Sequence, residues 1–421
     1  MEFYEIEGKV PLRGEYTVKG AKNAVLPIMA ASLIRPGNYH IHGCPDITDV
    51  SSMMCILKNL GVDVSRENDI LTIDSGNLHG TEVSREMMMT MRSSVFLMGA
   101  LLARCGEASV FRPGGCKIGK RPIDIHIAGL RALGYQLEEG EAQITCSGRC
   151  KGGHVILPYP SVGATENLMM AAAAGNGIAV IENCAREPEI VDLQGFLRCC
   201  GFRIYGAGES RIVIYGRPEL IKSRGFESTY FAIEDRIEAA TYMMAVAGTG
   251  GDALLRNIRP ELMGDVLKML EATGTVIRCN ENMIALRGPQ RLKSPGMILT
   301  GPFPGFPTDC QPQALTMLSC ADGMTTIRED VFESRFTHKK ALMNMGADIE
   351  ICGKNAIIKG VYSLKGKMVA AQDLRGGAAL VLAGLMAEGT TTVTGLSHID
   401  RGYENFHKGL QELGGLIERR T

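Results

Sequence analysis

The 421-residue chain carries almost no net charge: 45 Lys and Arg stand against 46 Asp and Glu, leaving −1 at pH 7. That balance removes any whole-molecule electrostatic case for nucleic acid or an anionic membrane, so anions must be held by local grouping of basic side chains. No apolar run reaches the length of a membrane span, and "MMAAAAGNGIAV" is broken by glycine and asparagine. The opening "MEFYEIEGKV" lacks the basic-then-apolar pattern of a secretory leader. There is no Gly-x-Ser-x-Gly elbow and no Cys-x-x-Cys pair. "GTGGDALL" fits neither the P-loop nor the dinucleotide fingerprint. "HIHG" has the alternation of a strand and no carboxylate-rich segment to complete a metal site. "EMMMTM" reads as core filling. Hydrophobic residues at 45% and charged residues at 22% are ordinary for a folded protein, and the length suits two or three domains.

Thirteen cysteines in a long chain, an odd count with Cys199 and Cys200 adjacent, point to reduced and mostly buried thiols, with cytoplasm as the expected compartment. Cys116 is the exception. It lies in "RPGGCKIGKRPIDIH" among glycines, Lys117, Lys120 and Arg121. Nearby cations are expected to bring a thiol from about 8.5 toward neutrality, making it a ready proton donor or partial thiolate. The glycines would let such a loop approach or rearrange around a ligand.

The chain repeats itself six times. Each copy has a polar start, an Ala/Leu/Met-rich helix, a glycine turn, a short strand, a second helix closed by glycine, and another strand. "GAKNAVLPIMAASLIRPGNYHIHG" with "DVSSMMCILKNLGVDV" is the first copy, and "DLRGGAALVLAGLMAEGTTTVTGL" with "GYENFHKGLQELGGLI" the last. The closing glycines Gly61, Gly134, Gly201, Gly274, Gly346 and Gly414 recur at roughly 70 residues. They read as helix C′ positions of positive φ. The first helix of each copy is apolar nearly all round and so predicts burial. The second is amphipathic; in "MGDVLKMLEATG" Val266, Met269 and Leu270 share one stripe. Six such α/β units predict two groups of three, with the boundary near "FESTYFAIEDR" inferred from repeat counting.

Chemistry collects where the first helices begin: Lys22 and Asn23; Arg92, Ser93 and Ser94; Thr165, Glu166 and Asn167; Asp235 and Arg236; Thr308 and Asp309; Asp373 and Arg375. Asp, Thr and Ser at such positions are accounted for as N-caps. Basic residues oppose the helix dipole, so Lys22, Arg92, Arg236 and Arg375 call for another explanation. Repeat symmetry could bring these ends together around a multiply anionic ligand. Arg401 in "HIDRGYE" is a further candidate cation.

These stretches, with "SVGATEN", "AREPEIVD", "EDRIEA", "FPTDCQ" and "VFESRFTH", closely resemble the UDP-sugar branch of the enolpyruvyl transferase family, in order and spacing from about Lys19 onward. The resemblance implies two inside-out α/β domains, each of three repeated units about a pseudo-threefold axis. Residues 21–233 would form the N-terminal domain with the Cys116 loop, and 1–20 with 234–421 the C-terminal domain, with the active site in the cleft between them. It implies transfer of the enolpyruvyl group of phosphoenolpyruvate to the 3-hydroxyl of UDP-N-acetylglucosamine with release of phosphate, the committed step of peptidoglycan synthesis.

Carried over by motif, Asp309 would be the base, and Cys116 a proton donor open to alkylation by fosfomycin. Lys22 and Arg401 complete the catalytic set. Lys22, Asn23, Arg92, Arg121, Arg335, Arg375 and Arg401 would hold phosphoenolpyruvate, with Asp235, Glu189 and Asp373 as supporting polar positions. Asn23, Arg92, Arg121, Pro122, Ile123, Asp124, Ile125, His126, Ser161, Val162, Gly163, Asp309 and Val331 would contact the UDP-sugar.

No metal or organic cofactor is implied, because the substrates bring the leaving group; the partners are two small molecules, with no nucleic acid or membrane and a monomeric state. This chain departs from the family at Tyr159-Pro160, where many relatives carry lysine, and near Thr48, where some do. It also has "DLRGG" for the more usual "DLRAS", where glycine in a helix costs roughly 1 kcal/mol. Two alternatives stand beside this reading: another acceptor such as shikimate 3-phosphate, or a nucleotide-sugar-binding paralogue with little turnover.

Overall fold

The computed structural model describes residues 2–86, 95–111 and 123–421. Arg92, Cys116, Arg121 and Pro122 lie outside the described residues. The described chain divides into two units, residues 2–19 with 234–421, and residues 20–233.

Each unit is built from one element repeated three times. Six four-stranded sheets occur among the described residues, all with one pattern: an edge strand parallel to the second, then two antiparallel steps. Phe226–Phe231 runs parallel to Gly37–His42, which pairs antiparallel with Ile70–Asp74, which pairs with Asp63–Glu67. In five sheets the third and fourth strands form a local hairpin. In the sixth, Phe3–Glu7 takes the third place, between Thr390–Thr394 and Leu416–Arg420, with Tyr4 opposite Val393 and Arg419. The start of the chain thereby completes the last repeat. Arg13–Thr17 then supplies the parallel edge beside Asp252–Arg256.

The apolar helices are interior, as their composition demands. Leu374–Met386 is buried from Arg375 to Met386, and Arg236–Gly248 from Arg236 to Ala247. With Gln311–Leu318 they pack into one core. Lys22–Ala31, Leu97–Cys105 and Val162–Ala173 play the same part in the other. The second helices lie outside these: Asp265–Ala272 buries Val266, Met269 and Leu270 only. The six closing glycines all have φ between 78° and 101°, so the C′ expectation holds in every copy.

The expectation of mostly buried thiols needs correction. Of the twelve described cysteines, all free, six are buried, but Cys55, Cys199, Cys279 and Cys352 are exposed. Cys55 and Cys199 sit on second helices, Thr48–Asn59 and Pro188–Cys199, which have an outer face. Cys279 and Cys352 fall on hairpin strands with one face in water.

Candidate active site

In the unit containing the C-terminus, the starts of the three interior helices carry the charge. Asp235 caps Arg236–Gly248, accepting from the Ile237 and Glu238 N–H groups at 2.8 and 2.9 Å. Asp373 caps Leu374–Met386 through the Gly376 N–H at 2.9 Å, and its other oxygen accepts from Thr337 Oγ1 at 2.6 Å. Both follow the N-cap rule. Asp309 does something else. It lies in the short turn Thr308–Cys310 ahead of Gln311–Leu318, and is the N-cap residue of neither. Its Oδ1 takes Arg335 Nη2 at 2.6 Å, and its Oδ2 takes Arg375 Nη2 at 3.1 Å and Nε at 3.3 Å. The two arginines are almost wholly buried, while the Asp309 side chain is 29% exposed.

Arg375 and Arg236 thus have partners that offset the adverse dipole. Arg375 has Asp309 and the Tyr403 ring, 5.3 Å from Cζ to centroid; Arg236 lies over Phe303 at 5.5 Å. Burial works to lower the pKa of Arg375, but Tyr403, Asp309 and Asp235 hold it above its ordinary value. Tyr403 is fixed in turn: its hydroxyl lies 2.8 Å from Thr241 Oγ1 and accepts from Gln313 Nε2 at 3.2 Å. Val331 is half-buried, its N–H on Glu329 Oε1 at 2.9 Å, and Glu329 Oε2 accepts from Thr308 Oγ1 at 2.9 Å. Arg401 is half-buried in the turns after Leu396–His398.

Residues 20–233 hold the remaining described candidates. Lys22 opens Lys22–Ala31 without a capping bond, and its Nζ lies 2.6 Å from Asp49 Oδ2 in the first turn of Thr48–Asn59. Asn23 follows it, half-buried. Ile123 is buried; Asp124 is the exposed first residue of Asp124–Ala132, with Ile125 half-buried beside it. Ser161 caps Val162–Ala173, its Oγ accepting from the Ala164 N–H at 3.4 Å, and Ser161, Val162 and Gly163 are all half-buried. His126 and Gly163 meet: a Cβ at 163 would sit 3.4 Å from His126 Cε1.

Asn167 sets the tautomer of His126. Its Oδ1 accepts from the Gly99 N–H at 2.5 Å, so Nδ2 is the atom facing His126 Nδ1 at 2.9 Å. The ring therefore accepts at Nδ1 and carries its proton on Nε2. Burial pushes His126 down to about 4, with Asp124 opposing weakly. An unfolded histidine titrates near ~6.5, so acid favours the unfolded chain. The stability of the neutral buried ring is complete above that value and is lost as pH falls toward 4. Glu166 is held well above the usual carboxylate range, by burial first and then by Glu189 and Glu187. Its slope is opposite, but comparison with a variant cancels it. Relative to His126→Gln, the parent should lose on the order of 3 kcal/mol between pH 7 and 4, read from urea midpoints across that range. Parallel curves for the two proteins would remove His126 as the titrating group.

The structure therefore joins Asp309, Arg335 and Arg375 in one cluster, and His126 with Gly163 in another. Four participants were not singled out by sequence. Asp49 is the partner of Lys22, and Tyr403 with Gln313 backs Arg375. Glu238, buried and pushed up to about 8 by burial and Asp235, binds the Tyr16 hydroxyl at 3.0 Å and the Lys19 N–H at 2.8 Å. Tyr403 stands inside the quoted "HIDRGYE", but nothing in its spacing marks it as a partner of residue 375.

Threefold α/β units with acids and arginines at the interior helix starts define the class: the fold is that of the enolpyruvyl transferases. The enolpyruvyl transferase NikO from Streptomyces tendae superposes with a TM-score of 0.87 at 22% identity, over 100% of this chain and 99% of that one. EPSP synthase from Acinetobacter baumannii superposes with a TM-score of 0.72 at 21% identity, over the full length of both. The chain belongs to the EPSP synthase (3-phosphoshikimate 1-carboxyvinyltransferase) family, whose model matches residues 6–410.

Within that family it is 46% identical to UDP-N-acetylglucosamine 1-carboxyvinyltransferase 2 of Caldanaerobacter subterraneus subsp. tengcongensis, over 99% of both chains. It is also 46% identical to UDP-N-acetylglucosamine 1-carboxyvinyltransferase 1 of Symbiobacterium thermophilum, over 99% of this chain and 95% of that one. No helix among the described residues is long and apolar enough to cross a membrane.

Proposed function

We propose that this protein transfers the enolpyruvyl group of phosphoenolpyruvate to the 3-hydroxyl of UDP-N-acetylglucosamine and releases phosphate, the committed step of peptidoglycan synthesis. The observation that carries this reading is 46% identity along essentially the whole chain to transferases named for that reaction. Asp309 takes the hydroxyl proton as the oxygen bonds to C2 of phosphoenolpyruvate, while the C2=C3 electron pair takes a proton at C3 from Cys116. Loss of that C3 proton and departure of phosphate from the tetrahedral intermediate restore the double bond.

Lys22, Asn23, Arg92, Arg121, Arg335, Arg375 and Arg401 meet the negative charge of phosphoenolpyruvate. Residues 121–126, 161–163 and Val331 contact the nucleotide sugar, and the Nε2–H tautomer of His126 offers it a donor. The same reading puts the enzyme in the cytoplasm as a monomer acting on two small molecules.

The family description and two structural neighbours name the shikimate-phosphate enzyme, so the acceptor is the property to test. Phosphate release from phosphoenolpyruvate should require UDP-N-acetylglucosamine, be absent with shikimate 3-phosphate or no acceptor, and disappear after fosfomycin treatment. Release with shikimate 3-phosphate would move the protein to the sister activity. No release from folded protein with any acceptor would leave a binding protein.

A further inference from the structure

A carboxylate between two guanidinium groups is a poor proton acceptor, because each cation favours its charged form. Asp309 is in that position, although the reaction proposed above needs it as a base. The two arginines are not equivalent. Arg335 makes the shorter contact, 2.6 Å, and is tethered by Nε to the Thr308 carbonyl at 3.2 Å. Arg375 makes two longer contacts, 3.1 and 3.3 Å, and its buried Nη1 meets no hydrogen-bond partner among the described residues. Each guanidinium also lies over a ring, Arg375 over Tyr403 at 5.3 Å and Arg335 over Phe332 at 5.5 Å from Cζ to centroid, so what sets them apart is the backbone tether and shorter contact of Arg335. Among the described residues, the charges around this cluster include Asp235 and Arg236 from the neighbouring helix start, Asp373 and the neutral His338 beside Arg335, and Glu329, which already binds Thr308. Tyr403 completes the surroundings from the last repeat. Asp309 is the exposed member, so an arriving polyanion would repel the carboxylate and compete for the cation behind it.

We infer that Asp309 is a gated base: phosphoenolpyruvate draws Arg375 away from Asp309 Oδ2, and only then is the carboxylate a competent acceptor for the hydroxyl proton. This rests on the proposed roles of Asp309 and phosphoenolpyruvate and adds no covalent step. Base strength would be released only when the donor substrate is in place.

The test is a pH titration of full-length protein labelled with [γ-13C]aspartate, the Asp309 resonance being identified by its loss in Asp309→Asn. Parent, Arg375→Gln and Arg335→Gln are each titrated alone and with phosphoenolpyruvate, whose occupancy is followed by its 31P signal. In the parent, phosphoenolpyruvate should raise the Asp309 midpoint by about one pH unit or more. In Arg375→Gln the midpoint should start high and the added shift fall below half. Arg335→Gln should also start high but keep the full shift. Should Arg375→Gln fail to bind phosphoenolpyruvate, Arg375→Lys takes its place: it keeps a cation, so its Asp309 midpoint should start low as in the parent and rise on binding, and a start as high as in Arg375→Gln or no rise would overturn the gate.

A full shift in the Arg375 variant would mean that the anion's own charge, not displacement, is responsible. No shift in the parent would equally overturn the gate. Turnover of Asp309→Asn separates the two layers. Near-parental turnover removes the base assignment and the gate with it; a nearly dead variant with an unshifted parent midpoint removes the gate alone.

Discussion

Asp309→Asn is expected to lower kcat for phosphate release by about 10²- to 10⁴-fold, the range that a positioned general base contributes. The acid limb of the pH–rate profile should disappear with it. Asparagine keeps an acceptor for Arg335 and a similar shape, so the protein should still fold. What it loses is the negative charge that two buried guanidinium groups now share.

That loss has a second consequence. Arg375 no longer has a carboxylate to prefer over the substrate, so the KM for phosphoenolpyruvate should fall while kcat collapses. Asp309→Ala is the contrasting variant. It removes the carboxylate that both arginines share, and breaking buried pairs in this way costs about 3–5 kcal/mol, visible as a lower thermal midpoint. Steady-state phosphate release between pH 5.5 and 9, with melting curves on the same samples, checks all three effects. A kcat within threefold of the parent would exclude Asp309 as the base.

Much of this architecture was readable from residue order because the physics is local. An apolar helix with no polar face has to be interior, and Leu374–Met386 is; an amphipathic helix has to lie between core and water, and Asp265–Ala272 does. The glycine closing each second helix reports a left-handed backbone that other residues resist.

The site was legible only in part. Its residue types stood out because Lys22, Arg236 and Arg375 oppose the helix dipole at positions where capping acids are ordinary. Their partners were not legible. Asp309 and Arg375 are 66 residues apart and Thr241 and Tyr403 are 162 apart, and pairing at that range is set by the threefold packing of helices. Buried Glu238 illustrates the same limit, since its sequence position resembles an exposed first-turn acid and only packing against Tyr16 and Lys19 makes it interior.

Lys22→Met should reduce kcat/KM for phosphoenolpyruvate by about 10²- to 10³-fold, the equivalent of the 3–4 kcal/mol that a desolvated charge contact supplies. Lys22 heads a helix whose dipole repels it, and its position depends on Asp49, 2.6 Å away, with the two side chains only 11% and 3% exposed. Asp49 lies in the first turn of Thr48–Asn59, where a negative charge is favoured. The pair therefore places an ammonium group at a helix start while leaving it partly open to an anion. Methionine keeps the length of the stem and removes the charge, which takes from Asp49 the cation 2.6 Å away. The single variant should consequently lose both activity and stability.

Adding Asp49→Asn removes the carboxylate charge as well, so the double variant should recover most of the melting temperature and none of the activity. Asp49→Asn alone should weaken phosphoenolpyruvate binding less than Lys22→Met does, because the ammonium remains and only its tether is loosened. Melting curves and phosphate-release kinetics on the parent and three variants would decide the matter. If the double variant regained activity along with stability, Lys22 would be serving the fold through Asp49 rather than serving the substrate.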